Sequence, residues 1–133
     1  MKDLLLFDVD GTITESTLPV SSEMTQLLIS IKMTGNYDMY LVSGGEYEKL
    51  INQIGKKNEY IFEYICSENG LATYKDSKLI FEKNIKDILT EHTIQTIINC
   101  ILKYIANLEL PFKRGTFIEF RKSMMYIIPI GSN

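Results

Sequence analysis

Two carboxylates separated by one residue are the strongest chemical signal in the chain. Asp8-Val9-Asp10-Gly11-Thr12 follows directly on the apolar run Leu4-Leu5-Leu6-Phe7. Acids at i and i+2 just past a strand end can both face one point, and Gly11 lets the backbone turn sharply and approach a ligand. Two neighbouring anions repel, so the pair favours a bound cation or a raised pKa on one member. Magnesium suits oxygen ligands combined with a substrate phosphate. A carboxylate can also attack phosphorus and form an aspartyl phosphate. An isolated Asp-Gly is most often a solvated turn, but here both acids sit at the carboxyl end of an expected strand. An EF-hand is excluded, because no third acid and no closing Glu follow at that loop's spacing. Ser43-Gly44-Gly45 is a second candidate: a tight turn with glycines at a helix start, where free backbone N–H groups attract anions. Arg121, taken by itself, reads as a solvated strand residue. Strand alternation puts Phe117, Glu119 and Arg121 on one face, so an Arg121–Glu119 contact is the competing reading.

The elements that position these residues alternate strand and helix. Leu4–Phe7 has the continuous apolar pattern of a buried parallel strand. Ser21 is the expected N-cap of a helix with Glu23 in its first turn. Met24, Leu27, Leu28 and Ile31 mark one face of that helix, and Gly35-Asn36 ends it. Tyr37–Val42 is a second strand, closing on Ser43-Gly44-Gly45. Tyr47, Leu50, Ile51 and Ile54 carry a second helix up to Gly55. Tyr60–Cys66 is expected to be a third strand running into the turn Ser67-Glu68-Asn69-Gly70. Leu71–Tyr74 and Leu79–Phe81 form a hairpin around Lys75-Asp76-Ser77. The order predicts a doubly wound α/β sheet, whose ligands bind beyond the carboxyl ends of the strands. The first strand is expected to be central in it.

Beyond about residue 82 the pattern changes. Ile94, Ile97, Ile98, Ile101, Ile105 and Leu108 predict a long amphipathic helix, and Thr116–Arg121 with Met125–Ile130 an antiparallel hairpin. One helix and one hairpin are thin cover for each other's apolar faces. The 133 residues are 45% hydrophobic and 23% charged, a composition that excludes disorder. A net charge of −3 gives no basic surface for nucleic acid. No apolar run approaches the ~20 residues of a membrane span, and Met1–Asp8 does not read as a signal peptide. A cytoplasmic location is expected. Cys66 and Cys100 are expected to be reduced core residues, too few for a zinc site with His92 as the only histidine.

Asp8-Val9-Asp10-Gly11-Thr12-Ile13-Thr14 resembles the first motif of haloacid-dehalogenase-type phosphotransferases. Ser67-Glu68-Asn69-Gly70-Leu71, Lys75-Asp76-Ser77-Lys78-Leu79, Lys113-Arg114-Gly115-Thr116-Phe117-Ile118-Glu119-Phe120-Arg121 and Pro129-Ile130-Gly131 narrow the resemblance to eukaryotic-type phosphomannomutase. It covers essentially the whole chain and corresponds to the N-terminal half of that family. The first motif is shared by the superfamily, whereas the Arg-Gly-Thr-Phe-Ile-Glu-Phe-Arg run is specific to the mutases.

The resemblance implies a haloacid-dehalogenase-like doubly wound core with a parallel sheet over residues 1–80, and a partial α+β cap over 81–133. It implies that Asp8 is the nucleophile and Asp10 the general acid/base, both ligating Mg2+, Asp10 through its backbone carbonyl. Arg121 would grip a sugar phosphate, and Ser43 and Gly44 would contact the phosphoryl group. The reaction would interconvert mannose 6-phosphate and mannose 1-phosphate for GDP-mannose synthesis, with hexose 1,6-bisphosphate as activator. A sugar phosphatase, or an inactive remnant that binds sugar phosphate or dimerises, is the alternative. A homodimer through the cap is expected, with Phe117 matching a residue of that contact. The chain departs from the family at Thr17 and Ser132, where arginines are usual, and at Ser43-Gly44-Gly45, where Gly-Gly-Ser is usual. The family runs to about twice this length, and residues 1–133 alone are expected to bind magnesium weakly and turn over poorly.

Overall fold

Strand β1 (Asp3–Phe7) pairs in parallel with β2 (Tyr37–Val42), and β2 with β3 (Tyr64–Ser67). Strands β4 (Ala72–Lys75) and β5 (Lys78–Glu82) add antiparallel, completing the order β1-β2-β3-β4-β5. Lys75 faces Lys78, so the hairpin turns on Asp76 and Ser77, both at positive φ (48° and 62°). Such a two-residue loop matches the twist of the flanking strands. The computed structural model describes residues 2–132, and the chain divides into two compact units between Glu82 and Lys83.

In the first unit, α1 (Ser22–Met33) starts where Ser21 accepts a hydrogen bond from the Met24 amide. α2 (Tyr47–Ile54) ends at Gly55, at φ 80°. Leu28, Leu50, Ile51 and Ile54 from these helices form one core with Val9, Met39, Leu41 and Ile65, and Leu5 and Phe7 of β1 pack against it. The α/β expectation holds, and β1, β2, α1, α2 and the hairpin stand where the sequence puts them.

Five expectations are corrected. β1 is an edge strand rather than a central one, since β2 is its one partner among the described residues. Nor is it buried on both faces: Leu4 and Leu6 are 52% and 62% exposed. A continuous apolar run encodes an appetite for two-sided cover, and the helices here cover the Leu5/Phe7 side. Tyr60–Glu63 is not strand. Residues Lys56–Ile61 form a 3-10 segment, because Asn58 donates to the Ile54 carbonyl (2.6 Å) and Glu59 is bound by Lys56, Tyr47 and Ser77. These local bonds compete successfully with strand pairing. Leu27 is 53% exposed, so the inward stripe of α1 runs through Met24, Leu28 and Ile31 without it. The cysteines are free but not core residues: Cys66 is half-buried and Cys100 is exposed on α3 (Glu91–Asn107).

The second unit contains α3 and the hairpin of β6 (Thr116–Phe120) and β7 (Met125–Ser132). Thr90 caps α3 by accepting from the Thr93 amide. Ile94 and Ile105 of α3 are buried, while Ile97, Ile98 and Ile101 are half-buried. Lys113 donates to the Ile105 carbonyl near the helix end (2.6 Å), a favourable place for a cation. Gly131 stands at φ 84° against the Arg114 backbone, where any Cβ would collide. Among the described residues, no helix is long and apolar enough to cross a membrane.

Candidate active site

The loop that follows β1 is built on one carbonyl. The amides of Thr12, Ile13 and Thr14 all donate to the Val9 carbonyl, and the Thr14 hydroxyl joins them at 3.1 Å. The Gly11 amide returns to the Thr14 carbonyl (2.8 Å), with Gly11 itself at φ 79°. Val9 is fully buried, and Ile13 and Thr14 nearly so, which anchors the loop while Gly11 and Thr12 stay exposed. Asp8 and Asp10 flank Val9, at the carboxyl end of β1 where the sequence places them.

The two acids differ in surroundings. Asp8 is exposed and accepts from the Thr12 hydroxyl at 3.3 Å. Asp10 is half-buried, and its Oδ1 accepts from the Thr17 amide (2.7 Å) and from Gln53 Nε2 (2.8 Å). Lys49 Nζ lies 3.6 Å from Oδ2. The Thr17 amide, then Gln53, hold the Asp10 carboxyl below the usual carboxylate range, with Lys49 adding to the effect against partial burial. Hydrogen bonds to the charged form favour it. Thr17 itself stands at φ 65°. A β-branched residue in that region carries strain of about 1–3 kcal/mol, and the strain lies at the residue that holds Asp10.

The oxygens assembled here suit a hard divalent cation. The backbone bonds of the loop leave the Asp10 carbonyl out, and the Asp8 carboxylate is open to solvent. Among the described residues no group of three or more His, Cys, Asp or Glu side chains could hold a metal. An ion that keeps several waters, as magnesium does, matches such a set.

Ser43 is buried at the end of β2. Its hydroxyl accepts from the Gly45 amide (3.2 Å), and its carbonyl from the Asn69 amide (2.8 Å). The Glu68 amide donates to the Gly45 carbonyl (3.0 Å), so the turns after β2 and β3 are laced together through Ser43 and Gly45. Gly44 lies between them, half-buried. Asp8, Asp10, Ser43 and Gly44 thus all belong to the first unit, each following the carboxyl end of a strand. Arg121 belongs to the second. Its Nε and Nη2 meet Glu119 Oε1 and Oε2 at 3.0 and 3.4 Å, and its guanidinium lies 4.6 Å from the centre of the Tyr126 ring. The competing reading of Arg121, a pair with Glu119, is therefore realised.

Gln53 and Lys49 are not singled out by residue type and spacing. One signal was available: Gln53 falls among Leu50, Ile51 and Ile54 on the inward side of α2, an unusual place for an amide. Two clefts border this loop. One, of about 550 Å3, runs from Gly11 to Met24; the other, of about 420 Å3, is lined by Thr17, Pro19, Lys49, Asn52 and Gln53.

The family model for eukaryotic phosphomannomutase matches residues 24–133. Phosphomannomutase 2 of Dictyostelium discoideum is 41% identical over 130 residues, covering 98% of this chain and 51% of its own length. The phosphomannomutase of Triticum aestivum is 42% identical over 130 residues with the same coverage of 98% and 51%. The chain thus spans about half the length of the curated relatives it matches. Among solved structures, a haloacid dehalogenase-like hydrolase from B. subtilis superimposes with a TM-score of 0.58 at 16% identity, over 78% of this chain and 34% of that one. One from Bacteroides thetaiotaomicron does so with a TM-score of 0.52 at 23% identity, over 77% and 38%. The solved structures carry the fold alone, which is haloacid-dehalogenase-like. The long alignments at 41–42% identity, with a family model reaching from α1 onward, make this chain a member of the eukaryotic phosphomannomutase family.

Proposed function

We propose that this chain carries the phosphoryl-accepting half of a phosphomannomutase site. That site interconverts mannose 6-phosphate and mannose 1-phosphate, the precursor of GDP-mannose. The observation that carries the reading is the unequal pair on the loop after β1. An exposed Asp8 is free to attack phosphorus, and Asp10 is held by backbone and side-chain donors beside it.

In this reading an oxygen of Asp8 forms a bond to the phosphorus of a hexose 1,6-bisphosphate activator while the bond to the sugar oxygen breaks. Asp10 delivers a proton to the departing sugar oxygen. In the reverse sense Asp10 removes the proton from an incoming sugar hydroxyl, which takes the phosphoryl group from Asp8. The Asp8 carboxylate and the Asp10 carbonyl would hold Mg2+, which when bound offsets the charge spread over the phosphoryl oxygens. Ser43 and Gly44, at the turn before α2, would contact the phosphoryl group. Arg121 would bind the sugar's distal phosphate, exchanging Glu119 for it. The chain would act in the cytoplasm, and its second unit would pair two copies into a homodimer.

A magnesium-dependent sugar phosphatase is the second reading, favoured by the exposure of Asp8: an acyl phosphate open to water hydrolyses. A steady-state assay on the 133 residues with mannose 1-phosphate and magnesium separates the two. Stimulation by hexose 1,6-bisphosphate supports the mutase, and release of inorganic phosphate without it supports the phosphatase. With one carboxylate and one backbone carbonyl for the metal and one arginine for phosphate, turnover of the 133 residues is expected to be slow, since each missing charge donor costs on the order of a hundredfold.

A further inference from the structure

Gln53 has a side chain that a merely structural role does not explain. It lies on the inward side of α2, 5% exposed, and one end of its amide is spent on Asp10. The other end, Oε1, is buried with no hydrogen-bond partner. Turning the amide over would press Oε1 against the Asp10 carboxylate, so the orientation with Nε2 on Asp10 is the one electrostatics allows. A buried orphan carbonyl is a net loss to the fold. An apolar side chain of the same length would fill the space without that cost. The amide is therefore kept against the interest of the core.

Its surroundings say what it does. Asp10 Oδ1 takes two donors from well-separated parts of the chain, Gln53 Nε2 at 2.8 Å and the Thr17 amide at 2.7 Å. Asp10 Oδ2 has neither, and faces Lys49 at 3.6 Å. The Gln53 backbone works to the same end. Its carbonyl, near the end of α2 where helical carbonyls lack partners, accepts from the Val20 amide at 2.8 Å. Side chain and backbone of one residue thus tie both ends of the 10–20 segment to α2.

We propose that Gln53 is a positioning residue: it fixes Asp10 Oδ1 so that Oδ2 is the oxygen that exchanges a proton with the sugar. This rests on the reading of Asp10 as the acid/base. Fixing one oxygen orients the other, and orientation of a catalytic group by a hydrogen-bonded neighbour is a general device of active sites. The proton balance is simple. As the sugar oxygen leaves phosphorus, its negative charge is quenched by the proton on Asp10 Oδ2. A phosphate ester whose leaving group is stable as an anion does not need that proton.

The test is Gln53→Met in the 133-residue chain, with two measurements. The first is amide exchange at Thr17, which needs no turnover. Without Gln53, Asp10 is free to rotate away, and exchange at Thr17 should speed up by about tenfold, with the β2 amides unchanged as the fold control. The second is the rate at which Asp8 is phosphorylated by two donors, an aryl phosphate with an acidic leaving group and hexose 1,6-bisphosphate. The sugar donor should slow by about tenfold or more and the aryl donor by less than about twofold. Gln53→Ala, which leaves a cavity in place of the thioether, should give the same split between donors. Unchanged Thr17 exchange overturns the proposal, as does an equal loss for both donors. If the parent chain takes phosphate from neither donor, the reading of Asp8 as phosphoryl acceptor fails. Thr17 exchange then still decides whether Gln53 holds Asp10.

Discussion

Asp8 and Asp10 are one residue apart in the chain and unlike in environment. The proposed division into a nucleophile, Asp8, and an acid/base, Asp10, rests on that difference. The pair was legible in the sequence because an apolar run ending in two acids and a glycine marks a strand that opens straight into a polar loop. Gln53 and Lys49 were not, since they reach Asp10 from far along the chain and belong to a helix whose apolar spacing hides them. The Arg121–Glu119 pair was legible, because strand alternation alone put Glu119 within reach of Arg121. Ser43-Gly44-Gly45 allows a direct test at this scale. A Cβ on Gly45 would meet Leu50 Cδ2 at 3.4 Å and Lys49 Cδ at 3.6 Å, ordinary contacts, and Gly45 is not at positive φ. Gly45→Ser, which restores the serine usual in the family, is expected to fold with stability within about 0.5 kcal/mol of the parent. It should also tighten binding of inorganic phosphate. A melting temperature several degrees lower would contradict this.

Most elements were legible too. Ser21, Gly35 and Gly55 punctuate the helices, and the apolar spacing of α2 and α3 places their buried faces. What failed was the stretch Tyr60–Glu63, which has strand-like residue types but is committed locally by Asn58 and Glu59. Glu59 is the hub of that segment. It accepts from Lys56 (2.6 Å), Ser77 (2.7 Å) and Tyr47 (2.7 Å), and Tyr47 stacks on Tyr74 at 3.8 Å, so α2, the 3-10 segment and the β4–β5 hairpin are joined through it. Burial works to raise the Glu59 pKa, but Lys56, Tyr47 and Ser77 bring it below the ordinary 4.5. A depressed carboxyl stabilises the fold above its unfolded pKa and loses that effect as pH falls through the folded value. Glu59→Ala should therefore cost about 2 kcal/mol at pH 7. The difference from the parent should shrink below about pH 4.5, as Glu59 takes up its proton. Urea melts at pH 7 and pH 3 measure it, and an equal loss at both would mean that the charge does not matter.

At the scale of the molecule, the exposure of each element was what the sequence hid. An apolar strand does not say how many neighbours it has, so β1 looked central and is an edge. The second unit leaves Tyr104 at 67% exposure, with Leu102, Phe112, Phe120, Ile127 and Ile130 also exposed. Apolar groups left exposed on a small unit favour self-association. The chain should self-associate at micromolar concentration through this unit. Phe117→Ala should shift sedimentation toward the monomer, and Leu6→Lys on the exposed face of β1 should not. A clean monomer in the parent, or dissociation by Leu6→Lys alone, would contradict it.

The most direct measurement is the phosphoryl group itself. The 133-residue chain is incubated with magnesium and hexose 1,6-bisphosphate, quenched in acid, and mapped by mass spectrometry for an acyl phosphate. A single turnover suffices, so slow catalysis does not hide it. The expected result is one labelled residue, Asp8, with no label in Asp8→Asn and a folded protein in both. Label on another residue, or none on Asp8 after prolonged incubation of the folded chain, would contradict the assignment of Asp8 as the nucleophile.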